Sequence, residues 1–175
     1  EIFLAVAGLA LLVLGVFHGD KAAKHISCLT MVALAVAGSI LLQNSWERVE
    51  VLGGLFAMDQ FGGIVKLMIL IGLFVSVGLS IRYLEDEKMA RFEYPLLMLF
   101  SGIGMLLIVS AHDLLSLYMG LELMSLPSYV LAAIRRDNVK SSESGLKYFV
   151  LGSIASGLLL FGASLVYGYT GSTNF

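Results

Sequence analysis

The chain has 175 residues, of which 58% are hydrophobic and 14% charged, and a mean hydropathy of +0.91; that is more apolar surface than one water-soluble core of this length hides, so lipid is its natural solvent. A net charge of −2 with no dense Lys/Arg cluster excludes a nucleic-acid partner. The single cysteine, Cys28, excludes a disulfide framework and a cysteine-built metal site, and reads as a small apolar filler.

Six apolar segments follow in chain order: Ile2–Phe17, Ile26–Leu42, Ile64–Tyr83, Pro95–Ala111, Leu114–Ile134 and Gly145–Tyr169. Each is close to the roughly 17–25 residues that a membrane-spanning helix needs. Backbone groups in lipid must be satisfied within the segment, and these runs are too long and too uniformly apolar for barrel strands. The fold class predicted is therefore an all-α, polytopic transmembrane helix bundle. The chain opens on Glu and enters its first apolar run at once, so a segment of a longer protein is expected, with a removed signal peptide as the other explanation. Ile2–Phe17 is not itself such a peptide, since it lacks a basic leader and a small-residue cleavage site.

The connections carry an orientation signal. Lys21, Lys24, Arg82, Lys88, Arg91, Arg135, Arg136 and Lys140 fall on one side of the six segments, against Arg48 alone on the other. Basic loops stay cytoplasmic, which places both ends of the chain outside. The outer connection between the second and third segments is long for a bundle. It holds Trp46 and Phe56, as interfacial aromatics would be held, with Glu47, Glu50 and Asp59, and is expected to be partly ordered.

The polar residues inside the apolar segments bear on function. Glu122 lies near the middle of the fifth segment, where an ionisable side chain costs about 2.5–3.5 kcal/mol on insertion scales and marks an ion or proton pathway by default. Tyr118, Ser125 and Tyr129 stand at i−4, i+3 and i+7 from it and complete a polar stripe. A protonated structural carboxyl, bonded to a neighbouring helix, is the plainer alternative. Pro127 leaves the Leu123 carbonyl without its usual donor and predicts a kink beside this stripe, for packing or for function. Lys147, about a turn inside the sixth segment, is the second candidate proton carrier. It has an equally good structural reading as the partner of Glu143 four residues earlier, or as an interfacial anchor. In the sixth segment Gly152 and Ser156, and Ser153 and Gly157, set small residues four apart, as a close helix contact requires. Lys66 is expected to snorkel to the outer surface, Asp113 to cap the fifth helix beside His112, and His18 and His25 to be solvated. No Walker, HExxH, CxxC or dinucleotide fingerprint is present, so no cofactor and no metal is expected in this chain.

The stretches Arg91-Phe-Glu-Tyr-Pro95, Ala111-His-Asp113, Tyr118-Met-Gly-Leu-Glu122-Leu-Met-Ser125-Leu-Pro-Ser-Tyr129 and Glu143-Ser-Gly-Leu-Lys147-Tyr-Phe-Val-Leu-Gly152, with the opening Glu1-Ile-Phe-Leu, resemble the subunit N family of bacterial respiratory complex I. The resemblance runs over most of the chain and is strongest from Phe92 onward. It implies the N-terminal part of an antiporter-like subunit of about fourteen helices. Residues 1–91 would be three N-terminal helices, and residues 92–175 the start of the first proton-conducting repeat. It further implies proton pumping coupled to NADH-to-quinone electron transfer in other subunits, in a bacterial inner membrane. Subunits M, J and K, lipid and protons would be the partners. In the family the glutamate at Glu122 pairs with a lysine of the seventh helix, and the lysine at Lys147 lies near. Pro127 and His112 depart from the family's commoner residues. The glutamate motif is shared across the superfamily, so an Mrp-type cation/proton antiporter or a membrane-bound hydrogenase subunit is the neighbouring reading. A membrane scaffold without an ion path is the distant one.

Overall fold

The computed structural model describes residues 1–43, 49–51, 53–87 and 89–175, and of Asp20, Lys21 and Val49 only the backbone. Trp46, Glu47, Arg48 and Lys88, used above for interface and orientation, lie outside the described residues. Six helices follow one another: α1 (Ile2–His18), α2 (Ala23–Gln43), α3 (Gln60–Asp86), α4 (Glu93–Ser110), α5 (Leu114–Ala132) and α6 (Val139–Thr170). All six apolar segments are thus helices. Five of them are long and apolar enough to cross a membrane. The 17 residues of α1 span about 26 Å at 1.5 Å per residue, at the short limit for a bilayer core. The chain is a multi-pass membrane protein.

Starts and stops follow local chemistry. Asp59 accepts from the Gly62 N–H at the head of α3, and Asn138 from Lys140 and Ser141 at the head of α6. Gly171 ends α6 in the left-handed region (φ 70°), where its N–H returns to the Tyr167 carbonyl at 2.8 Å. The long second connection holds an element that periodicity did not predict, a hairpin of β1 (Val49–Val51) and β2 (Phe56–Met58). Its register pairs Val49 with Met58, Glu50 with Ala57 and Val51 with Phe56. Three-residue strands are too short to show an alternation, and Phe56 is part of this sheet instead of hanging in a loop.

The main core lies among α1, α2, α3 and α4, where Leu4, Leu34, Leu70, Val77, Leu99 and Ile103 interlock. A smaller cluster of Leu11, Ile26 and Leu96 extends it toward the basic end. Close approach of α5 to α4 depends on Gly104, since a Cβ there would stand 2.3 Å from the Met124 nitrogen. Nearby, the Ser101 and Ser128 hydroxyls both donate to the Met124 carbonyl, at 3.0 and 2.8 Å. They supply donors to the backbone beside Pro127, and α5 runs through the proline without ending. Helix α6 packs mainly on α5, and Gly145 is its one fully buried residue among those described.

The two ends of the bundle differ. At the basic end, ion pairs Lys24–Glu85, Arg135–Glu87 and Arg136–Glu93 tie the helix ends together. At the other end the 111–113 turn bridges Phe56 of β2 through Ala111 and Asn174 through Asp113. His112 N donates to the Leu55 carbonyl at 3.0 Å and Leu114 N to that of Thr173 at 2.9 Å. The hairpin, the α4–α5 turn and residues 173–175 therefore make one small backbone-bonded patch, on the same side as Glu1.

Candidate functional site

Glu122 faces α6. The Ser156 hydroxyl donates to Glu122 Oε1, and the Tyr118 hydroxyl stands 3.3 Å from Ser156 Oγ. The stripe of Tyr118, Glu122, Ser125 and Tyr129 lines one side of a cavity of about 260 Å³, closed on the other by Tyr148 and Ser156 of α6. Tyr129 meets Tyr148 edge-on at 4.8 Å and Phe149 at 5.7 Å between ring centroids. Gly152 makes this packing feasible, because a Cβ at that position would lie 2.0 Å from the Tyr129 hydroxyl. The Gly152–Ser156 pair thus makes the close contact expected of it, while nothing described lies within 4 Å of a Cβ at Gly157.

The other candidates are placed elsewhere. Lys147 is 70% exposed at its side chain and pairs with Glu143 at 2.5 Å, on a part of α6 away from the cavity. Pro127 is buried within α5 and adds no polar group. Asp113 caps α5 as expected, accepting from the Leu115 and Ser116 N–H groups at 2.7 and 3.2 Å. The Thr173 hydroxyl, ahead of these two N–H donors, holds the Asp113 carboxyl below the usual carboxylate range.

Lys66 corrects the sequence reading. Its side chain does not snorkel; the residue is 4% exposed, and its ammonium lies 2.7 Å from Glu1 Oε1. Ser110 of α4 donates to the same oxygen at 3.1 Å. Glu1 and Leu4 at the start of α1 and Met58 of β2 stand beside Lys66 in the first turns of α3, and Glu1 supplies the counter-charge there. The pair borders a second cavity, of about 230 Å³. A charge complement was visible in the sequence, an acid heading the first helix and a lysine at similar depth in the third, but nothing local joins them. Among the described residues no group of His, Cys, Asp and Glu is arranged to hold a metal ion.

The apolar helices thus carry a carboxylate–hydroxyl chain at the α5–α6 seam, a polar site within the span of a membrane bundle. Residues 111–175 match the family model described as the transmembrane region of the NADH:quinone oxidoreductase/Mrp antiporter. Over all 175 residues the chain is similar to subunit N of NADH-quinone oxidoreductase, at 51% identity to that of Paramagnetospirillum magneticum and 48% to that of Parvibaculum lavamentivorans. The chain spans 36% of the length of these relatives. A solved structure of respiratory complex I from Thermus thermophilus with bound aureothin aligns over 99% of this chain and 37% of its own, at 35% identity and a TM-score of 0.83.

Proposed function

We propose that this chain is the first part of the proton-translocating subunit N of an NADH:quinone oxidoreductase, working in a bacterial inner membrane beside other membrane subunits, M, J and K among them. Residues 92–175 begin its first proton-conducting repeat, and the family match over 111–175 falls inside that range. Electron transfer from NADH to quinone belongs to other subunits in this reading; this chain supplies part of a proton path.

The observation that carries the proposal is the Glu122–Ser156–Tyr118 chain. Serine has a single hydroxyl proton. With Glu122 ionised, Ser156 donates to the carboxylate and Tyr118 donates to Ser156. With Glu122 protonated, the carboxylic O–H donates to Ser156, whose proton turns toward Tyr118. The three groups therefore have two hydrogen-bond directions, one for each protonation state of the carboxyl, and the cavity beside them is large enough for water to complete a path. Lys147, at the basic end, is the second group of the path. It can exchange a proton where arginine does not, so Lys147→Arg should lower pumping while keeping the pair with Glu143.

Glu122→Gln is the decisive experiment. The amide is near-isosteric and still accepts from Ser156, so the complex should assemble, while NADH-driven proton uptake by membrane vesicles should fall by at least about tenfold. Normal pumping by a fully assembled Glu122→Gln complex would leave Glu122 a structural carboxyl. A cation/proton antiporter of the Mrp kind is the second reading, favoured by the joint family description; Na⁺-dependent transport without NADH would select it.

A further inference from the structure

Two spaces lie end to end along the seam between α5 and α6, and one side chain stands in the wall of both. The first is the cavity of about 260 Å³ beside Glu122. The second is a groove of about 500 Å³ at the basic end, where Ala133, Arg136, Ser142 and Gly145 line it. Of the described residues, Tyr129 alone borders both. Its neighbours on α6 divide between them, Tyr148 facing the Glu122 cavity and Phe149 the groove. The Tyr129 ring meets these two edge-on, at 4.8 and 5.7 Å between centroids, and Gly152 lets it reach the α6 backbone. Three rings therefore separate the spaces, seven residues from Glu122 or about 10 Å along α5. Only ring edges hold the middle one: among the described residues the Tyr129 hydroxyl has no hydrogen-bond partner. The ring can turn aside without breaking a bond.

We propose that Tyr129 is the residue that controls access to Glu122 from the basic end. With its ring between Tyr148 and Phe149, the Glu122 cavity and the groove are separate; with the ring turned aside, water joins them and a proton can pass to the carboxyl. An apolar constriction one ring wide is enough to hold back water and the protons it carries. The proposal rests on the reading of Glu122 as a proton carrier, and adds the condition that reading needs. A carboxyl in unbroken contact with one aqueous side would exchange protons with that side at all times and do no work. Tyr129 acts through the space it closes and touches no proton in transit, so its ring matters and its hydroxyl does not.

The test measures the partition itself, in native membranes that carry the assembled complex with the full subunit. Ser125→Cys places a near-isosteric thiol in the Glu122 cavity, and Ser142→Cys places one in the groove beyond the rings. A small water-soluble cationic thiosulfonate is applied to each face of the membrane, and labelling of each site is followed by mass spectrometry. The face that labels Ser142→Cys is the basic one. From that face Ser125→Cys should label slowly, Tyr129→Ala should speed it at least about tenfold, and Tyr129→Phe, which keeps the ring, should leave it within about twofold. Protons pumped per NADH oxidised should fall several-fold in Tyr129→Ala and hold in Tyr129→Phe, a split that a hydroxyl relay would reverse. Unchanged labelling of the cavity in an assembled Tyr129→Ala complex overturns the proposal. So does opening by Tyr129→Phe equal to that by Tyr129→Ala, and so does an opened cavity with pumping intact. Tyr129→Leu, which keeps apolar packing and lacks the reach of the ring, gives the same reading if Tyr129→Ala fails to assemble. Glu122→Gln should leave the labelling unchanged, so failure of the Glu122 path and failure of the partition are separate results.

Discussion

Two carboxylates in this molecule are each held by a serine hydroxyl from a neighbouring helix, and their surroundings differ in one respect. Glu1 has a cation within hydrogen-bond distance, Lys66, sealed among α1, α3 and α4. Glu122 has only neutral hydroxyls among the described residues, Ser156 directly and Tyr118 beyond it, at the seam between α5 and the thinly covered α6. A paired charge is locally balanced and can be enclosed. A carboxyl at mid-span with only hydroxyl partners has no fixed cation beside it to balance its charge. The first arrangement suits a site complete in itself, and the second suits one that answers to a neighbour.

The sharpest way to break this contrast is to neutralise each carboxyl in turn. Glu1→Gln leaves the buried Lys66 ammonium without its counter-charge, a defect of about 3–5 kcal/mol. Glu122→Gln removes no ion pair within the described residues and should cost less than about 1 kcal/mol. Assembled complex content and its thermal midpoint should therefore drop sharply for Glu1→Gln and hardly move for Glu122→Gln, the reverse of the order expected for pumping. Equal losses of assembly would show that both carboxyls are clamps.

Ser156→Ala probes the open site more gently. It removes the one direct donor to Glu122 among the described residues and disconnects Tyr118, at about 1–3 kcal/mol. Pumping per assembled complex should fall several-fold, whereas Tyr118→Phe, which shortens the chain at its far end, should cost about half as much in free energy. If Tyr118→Phe proves the more damaging, the direction of the chain has been misassigned.

Asp113 gives the smallest effect and a reference outside both sites. Its carboxyl lies below the usual range because the Thr173 hydroxyl and two backbone N–H groups favour the charged form. A lowered value means that the stabilisation is fully present above the unfolded carboxyl's pKa of about 4 and is lost only as pH falls through the folded value. Asp113→Asn, which keeps an acceptor for the cap, should cost about 0.5–1 kcal/mol at pH 7 and nothing further in acid. A pH-dependent difference from wild type appearing between about pH 6 and pH 8 would contradict this assignment.

What the sequence made legible divides along the same lines. The helices were readable because lipid enforces long uniform runs, and Glu122 because one acid in such a run is costly at that depth and stands out. The stripe of Tyr118, Ser125 and Tyr129 followed from helical spacing, since all three sit on the element that carries Glu122. Ser156 was visible only as a small residue; its role depends on how α6 turns against α5, which Gly152 and Tyr129 decide. Lys66 was misread for a related reason: snorkelling is a property of one helix in lipid, and its burial comes from two other stretches of chain folding over it. The hairpin was missed because strands of three residues carry no periodic signal.

The patch that joins the 111–113 turn to residues 173–175 has a mechanical consequence for the Glu122 site. Helices α5 and α6 are joined covalently at the basic end through residues 133–138, and at the opposite end by the bridge between Asp113 and Asn174 and by the bond from Thr173 to Asp113. The pair is a closed frame with Glu122 and Ser156 on its inner edges, far from either corner. Such a frame does not swing open like a door hinged at one end. To part Glu122 from Ser156 it must bow at mid-length, and Pro127, five residues along α5 from Glu122 and one backbone hydrogen bond short, is where α5 yields most readily.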